Sequence, residues 1–189
     1  MIKKVIHLAD VHLRTFKMHS DYKKAFITTL EMINELVKEY DKDEVRIVIV
    51  GDYVHQKITI SNELMLIGTW FLRELAKITN VVIIAGNHDF IENNKDRLDS
   101  ITPMVQLLDN DNITYFKDTG CYLDDNIVWT VYSVFDDNNR PEIEKGKLDY
   151  GKDKTYIGLY HAPILGATTD IGYEFEEGEN LSHFEGCDI

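Results

Sequence analysis

Four apolar, strand-like runs in this chain end in the same way, on a turn that carries carboxylate, imidazole or amide side chains. Val5-Ile6-His7-Leu8 leads to Asp10-Val11-His12, and Ile47-Val48-Ile49-Val50 leads to Gly51-Asp52. Val81-Val82-Ile83-Ile84 leads to Gly86-Asn87-His88-Asp89, and Tyr156-Ile157-Gly158-Leu159-Tyr160 leads to His161. In open α/β sheets, ligands bind beyond the carboxyl ends of the strands. Strands that bring Asp10, His12, Asp52, Asn87, His88 and His161 to one sheet edge predict a metal site there. Taken singly, Asp and Asn are also ordinary turn residues after strands; the recurrence is what points to a metal.

Helical periodicity fills the intervals. Tyr22, Phe26, Leu30, Ile33 and Val37 recur at helical spacing, as do Leu64, Ile67, Phe71, Leu75 and Ile78. Ser20 or Asp21 is the expected N-cap of the first helix and Ser61 of the second, with Glu63 in the first turn of the latter. A third helix is expected to start at Thr102-Pro103, with proline at the first helical position, and to run through Met104, Leu107 and Leu108. The pattern then changes to successive strands: Ile113 to Phe116, Gly120 to Leu123, Ile127 to Tyr132 and Thr155 to Tyr160. Asp124-Asp125-Asn126 reads as a hairpin turn, and Asp136-Asp137-Asn138-Asn139-Arg140-Pro141 opens a polar connection to about Lys154. The β-α-β-α-β-α start implies parallel strands with right-handed crossovers. The whole reads as one α/β domain with a β-rich second half, and 189 residues suffice for a substantial core.

Composition bounds the compartment and the partners. No apolar run approaches the roughly 18 residues of a membrane span, and Met1-Ile2-Lys3-Lys4 leads into a strand rather than a signal peptide. Cys121 and Cys187 have neither metal-finger spacing nor a disulfide framework, so a cytosolic chain with reduced thiols is expected. A formal charge of −13 disfavours long-range attraction to nucleic acid. Two bound divalent cations would offset that charge locally. The balance argues against a free-standing, tight DNA binder and leaves a phosphoester substrate open.

Mixed carboxylate, imidazole and amide ligands suit Mn²⁺, Fe²⁺ or Zn²⁺, and the lack of thiolates argues against a structural zinc site. Two ions about 3.5–4 Å apart need a bridging carboxylate, for which Asp52, on the middle of the three leading strands, is the candidate. Such a pair generates hydroxide at neutral pH and clamps phosphoryl oxygens. His88, beside Asn87, is placed to protonate a leaving alkoxide, and Asp89 to orient that imidazole.

The series Asp10-x-His12, Gly51-Asp52, Gly86-Asn87-His88-Asp89 and His161 resembles the calcineurin-like metallophosphoesterase superfamily, in order and spacing, over nearly the whole chain. The resemblance implies a layered sandwich of mixed β-sheets flanked by helices. It implies that Asp10 and His12 bind one metal, that Asp52 bridges, that Asn87 and His161 bind the second, and that His88 is the catalytic histidine. Ile6-His7-Leu8-Ala9-Asp10-Val11-His12-Leu13 and Gly51-Asp52-Tyr53-Val54-His55 are most similar to the Mre11/SbcD DNA-repair nuclease branch, which includes phage exonuclease subunits. There His55 matches a histidine used near the scissile phosphate; read without the family, it is a surface or capping residue. The branch implies a DNA substrate, Mn²⁺, an SMC-like ATPase partner and a possible homodimer.

One departure stands out. The family carries a final Gly-His-x-His block on a strand after His161, whereas Gly186-Cys187-Asp188-Ile189 looks like only the start of that strand. The expectation is a domain cut short at its C-terminal end, each metal lacking one protein ligand. Other readings are plainer. His7 is expected in the core or behind the ligands, and His19 and His183 in solvent. Glu174, Glu176, Glu177 and Glu179 read as a solvated acidic loop, Lys145, Lys147, Lys152 and Lys154 as a mobile charged one, and Trp70 and Phe71 as core. The leading function is a metal-dependent DNA phosphodiesterase. The rivals are a phosphatase or nucleotide phosphodiesterase with the same chemistry, and a non-catalytic metal-binding scaffold.

Overall fold

The computed structural model of the protein describes residues 1–15, 18–57, 59–94, 96–136, 139–169 and 171–189. Its contacts fall into two compact units, Met1–Lys117 and Asp118–Ile189. The first holds β1 (Lys4–Ala9), α1 (His19–Val37), β2 (Val45–Val50), α2 (Asn62–Ile78), β3 (Asn80–Ile84), α3 (Ile101–Leu108) and β4 (Ile113–Tyr115). These strands form a wholly parallel sheet in the order β1-β2-β3-β4.

Parallel strands covered on both faces require continuous apolar sequence, and β2 is buried at every position. Arg46 is accommodated within it because Nη1 donates to the carbonyls of Asp43 and Val45, at 3.0 and 2.8 Å. The register positions the site. Ala9 pairs with Val50, and Val50 with Ile84, so β1, β2 and β3 end level with β2 in the middle. The turns that follow therefore emerge side by side.

Helix packing fixes the sheet from outside. α1 buries Phe26, Ile33 and Val37, and Phe26 stacks on Phe71 of α2 with centroids 3.8 Å apart. α2 buries Leu64, Ile67, Phe71, Leu72 and Leu75, each contributing about 1.5–3 kcal/mol of apolar burial. Gly68 is the point of closest approach: a Cβ there would lie 3.0 Å from Met104 Sδ and 3.3 Å from Leu13 Cδ1. Its carbonyl accepts a 2.7 Å bond from the buried Tyr53 hydroxyl, tying α2 to the turn after β2.

Ser61 caps α2 as expected, accepting from the Leu64 amide. The start of α1 differs: Met18, in the left-handed region, occupies the cap position without a side-chain bond, and Ser20 and Asp21 lie inside the first turn. α3 begins at Ile101, so Pro103 is its third residue rather than its first. The fit is still good, because the first four amides of a helix have no intrahelical acceptor. Asp99 supplies the cap, its carboxylate accepting from the Ile101 and Thr102 amides.

The second unit contains β5 (Gly120–Asp124), β6 (Ile127–Val131), α4 (Ile143–Tyr150) and β7 (Thr155–Leu159). β5 and β6 form the expected antiparallel hairpin, with Asp124 opposite Ile127 and Asp125 at φ 55° in the turn. β6 pairs with β7 in parallel, so this sheet is mixed. Cys121, Thr130 and Gly158 stand in one row across it, and Cys187 packs where Gly158 leaves space. Beyond β7, the Asp188 amide donates to the Tyr156 carbonyl at 2.7 Å and the Gly158 amide to the Ile189 carbonyl at 2.8 Å.

α4 replaces part of the expected polar loop. Lys145 and Lys147 lie on this short helix, whose Ile143 packs with Val128 and Tyr156; the apolar anchor is a single residue, too little to show a period. Asp137 and Asn138 lie outside the described residues. His7 is exposed rather than buried, because β1 is an edge strand with only one covered neighbour. His19 and His183 are half-buried rather than solvated: His19 bonds the Arg14 carbonyl, and His183 pairs with Glu179. Trp70 is half-buried beside Lys23, while Phe71 is core.

Candidate metal centre

Three turns at the level ends of β1, β2 and β3 converge. The ligand-type atoms of Asp10, His12 and Asp52 all lie within 4.8 Å of one another, and so do those of His12, His55 and His88. His12 belongs to both groups. Its Nε2 lies 3.4 Å from Asp10 Oδ1 and 3.4 Å from Asp52 Oδ2. His88 Nε2 approaches the same Asp52 oxygen, at 3.9 Å.

Backbone conformation explains how short turns place so many groups together. Asp10, His12 and Asp52 all have positive φ, at 53°, 48° and 51°. Asp and His enter this left-handed region more readily than most residues, at a cost of about 1–2 kcal/mol each. Neighbouring bonds hold the turns. The His12 amide donates to the Asp52 carbonyl at 2.8 Å, the Leu13 amide to Tyr53 at 3.1 Å, and the His55 amide to Leu13 at 2.9 Å. The Tyr22 hydroxyl donates to the His12 carbonyl at 2.7 Å.

The histidines are oriented by specific partners. His88 Nδ1 lies 2.8 Å from the His55 carbonyl; a carbonyl only accepts, so Nδ1 carries hydrogen and Nε2 is the atom that gains or loses a proton. The His88 amide donates to Asp52 Oδ1 at 2.9 Å. His12 Nδ1 and His55 Nδ1 face each other at 3.2 Å, so one carries hydrogen and the other accepts. The His55 and His88 rings lie 5.2 Å apart and nearly parallel. Burial, reinforced by the nearby Arg14 charge, lowers the His55 pKa and favours its neutral form.

Asp89 does not orient His88, as the sequence suggested. Its carboxylate accepts instead from the amides of Gly86 at 2.8 Å, Val54 at 2.8 Å and Tyr53 at 3.2 Å, and lies 3.3 Å from the Ser100 hydroxyl. It ties the turn after β2 to the turn after β3. Burial pushes its pKa up to about 6 despite those amides. The imidazole takes the His55 carbonyl because that acceptor already lies on its Nδ1 side. Asn87 is half-buried in the same turn. His161 is half-buried just past β7 in the second unit, whereas both clusters belong to the first.

The donor set fits a divalent cation. Two carboxylates and an imidazole nitrogen crowd one point, and the Asp52 side chain is only 4% exposed. A buried carboxylate such as Asp52 needs a compensating positive charge, and oxygen with imidazole ligands suits Mn²⁺, Fe²⁺ or Zn²⁺. Asp10, His12 and Asp52 could hold an ion directly. His55, expected near the site from the family resemblance, joins this group, held there by the parallel bridge between Leu13 and Val54, which its spacing in the sequence does not show.

Residues 3–185 match the model of the calcineurin-like phosphoesterases. The chain belongs to that family. Its α/β architecture is the metallophosphoesterase one, and membership implies metal-dependent hydrolysis of phosphoesters. The chain is also 34% identical, over 191 aligned residues, to an uncharacterized protein of Acanthamoeba polyphaga mimivirus. That alignment covers 98% of this chain and 14% of the viral protein. No helix among the described residues is long and apolar enough to cross a membrane.

Proposed function

We propose that this calcineurin-like phosphoesterase hydrolyses DNA phosphodiester bonds with Mn²⁺, as a nuclease module of the Mre11/SbcD type. The observation that carries the reading is His55. Its ring sits against His12 and alongside His88, three residues after Asp52, so the site has two imidazoles beyond those that ligands require. In this reading Asp10 and His12 would hold one ion and Asn87 and His161 the other, with Asp52 shared between them. Bound divalent ions would lower the pKa of water and neutralise phosphoryl charge at these residues. If His12 held an ion through Nε2, its Nδ1 would donate to His55 Nδ1 at 3.2 Å, and His55 would then present Nε2–H to the substrate phosphate. His88 Nε2 delivers the proton to the leaving alkoxide. An SMC-like ATPase subunit, a homodimer and a cytosolic setting belong to the same reading, the last supported by the free thiols of Cys121 and Cys187.

The net charge of −13 favours a second reading, in which the same site acts on a phosphomonoester or a mononucleotide. The test is turnover of single- and double-stranded DNA, a small aryl phosphodiester and an aryl phosphomonoester, each with Mn²⁺ and with chelator. DNA cleavage that Mn²⁺ supports and His55→Ala reduces upholds the proposal. Turnover of the small esters with DNA left intact removes it in favour of the second reading. Metal binding without any turnover leaves only the scaffold.

A further inference from the structure

Arg14 follows directly on the turn that carries Asp10 and His12, and its side chain is exposed. The backbone around it is fixed. Leu13 is fully buried, bridges Val54, and accepts from the His55 amide. Thr15 is buried; its amide donates to Gln56 Oε1 at 2.8 Å and its hydroxyl to the Thr59 carbonyl at 2.9 Å. The Arg14 carbonyl itself is bonded to His19 Nε2 at 2.9 Å. The residue is exposed, and among the described residues no carboxylate pairs with its guanidinium. In a chain with 33 acidic and 20 basic residues, such a cation at a catalytic rim is conspicuous. Lys57, in the neighbouring turn, is by contrast paired with Glu92 at 2.7 Å.

We propose that Arg14 binds the phosphate next to the scissile one, and so selects a polynucleotide over an isolated phosphoester. The inference rests on the DNA reading above. A guanidinium matches phosphate oxygens through paired N–H donors, and a rigid backbone lowers the entropy lost on binding. Phosphate contacts of this kind set position along the strand rather than base sequence. A local cation is also what an acidic protein needs to receive a polyanion, since its bulk field opposes approach. The parallel bridge of Leu13 to Val54, with the His55 amide bonded to the Leu13 carbonyl, sets Arg14 beside the turn that carries His55.

The experiment compares wild type, Arg14→Ala and Arg14→Lys on a DNA oligonucleotide and on bis(p-nitrophenyl) phosphate, with Mn²⁺, across a salt series. In Arg14→Ala the ratio of kcat/KM for DNA to kcat/KM for the small diester should fall about tenfold, the scale of a charged hydrogen bond. The salt dependence of log kcat/KM on DNA should become shallower by about one. Arg14→Lys should recover the salt slope and part of the ratio. If wild type cleaves DNA and Arg14→Ala leaves both ratio and slope unmoved, Arg14 has no such role and the DNA reading stands. If both substrates fall together, Arg14 acts on the metal site instead, which also overturns the proposal. If wild type turns over the small diester but no oligonucleotide, the DNA reading fails and takes this proposal with it.

Discussion

Replacing Asp89 by asparagine sets two opposing effects against each other at one buried carboxylate. Asp89 is 1% exposed and accepts from three amides and faces a hydroxyl. Those donors favour the ionised form; desolvation opposes it and wins, raising the pKa from 3.8 to about 6. A carboxyl whose pKa is higher in the folded state stabilises the fold fully only below about pH 4. That stabilisation disappears as pH rises through about 6. By pH 7 the change amounts to about 3 kcal/mol. Asparagine is nearly isosteric with the protonated acid and does not titrate. The difference in unfolding free energy between metal-free wild type and Asp89→Asn should therefore move by about 2 kcal/mol in the variant's favour between pH 4 and pH 7. Urea unfolding in chelator at several pH values measures it, with amide exchange at Tyr53, Val54 and Gly86 as the local readout. A difference flat with pH would refute the shift. A difference moving in favour of wild type would mean the donors outweigh desolvation and hold the carboxyl below its ordinary range.

Three further outcomes are expected. His88→Asn should lower turnover by about 10²–10⁴-fold, the scale of general acid catalysis, while metal content measured by elemental analysis stays near wild type; loss of metal would make His88 a ligand. Asp52→Asn should weaken two metal sites together in calorimetric titration, and loss of only one would deny it the bridging role. Gly178→Ala should destabilise the second unit by about 2 kcal/mol or more, because φ is 143° and a Cβ would fall 2.4 Å from the Pro163 carbonyl oxygen; an unchanged melting temperature would show that the backbone there adapts freely.

Much of the fold could be read in advance because β1, β2 and β3 are apolar runs bounded by turns, and α1 and α2 carry long one-sided periods. Eight-residue α4 could not, since Ile143 and Gly146 are its only buried positions and Gly146 weakens any helical signal. Caps fared unevenly for a physical reason. Ser61 bonds within three residues of itself, whereas α1 starts at Met18 with no local side-chain bond to betray it. At the site, Asp10, His12, Asp52 and His88 were legible as strand-end residues. The role of Asp89 was not, because its partners at Tyr53 and Val54 lie more than thirty residues away. The division after Lys117 falls close to where the sequence pattern changes from alternating helices and strands to successive strands.

The left-handed backbone at Asp10, His12 and Asp52 has a consequence for how such a protein ages. At these positions glycine would relieve conformational cost while deleting a candidate metal ligand. Selection for hydrolysis must therefore hold three residues in place against a fold that would be more comfortable without them. A descendant freed from that selection has a downhill route to a sturdier, silent protein, and β-branched residues are barred from the same route by sterics alone. Glycine at these three turns, in a relative that keeps the sheet, would be the fossil of a lost enzyme.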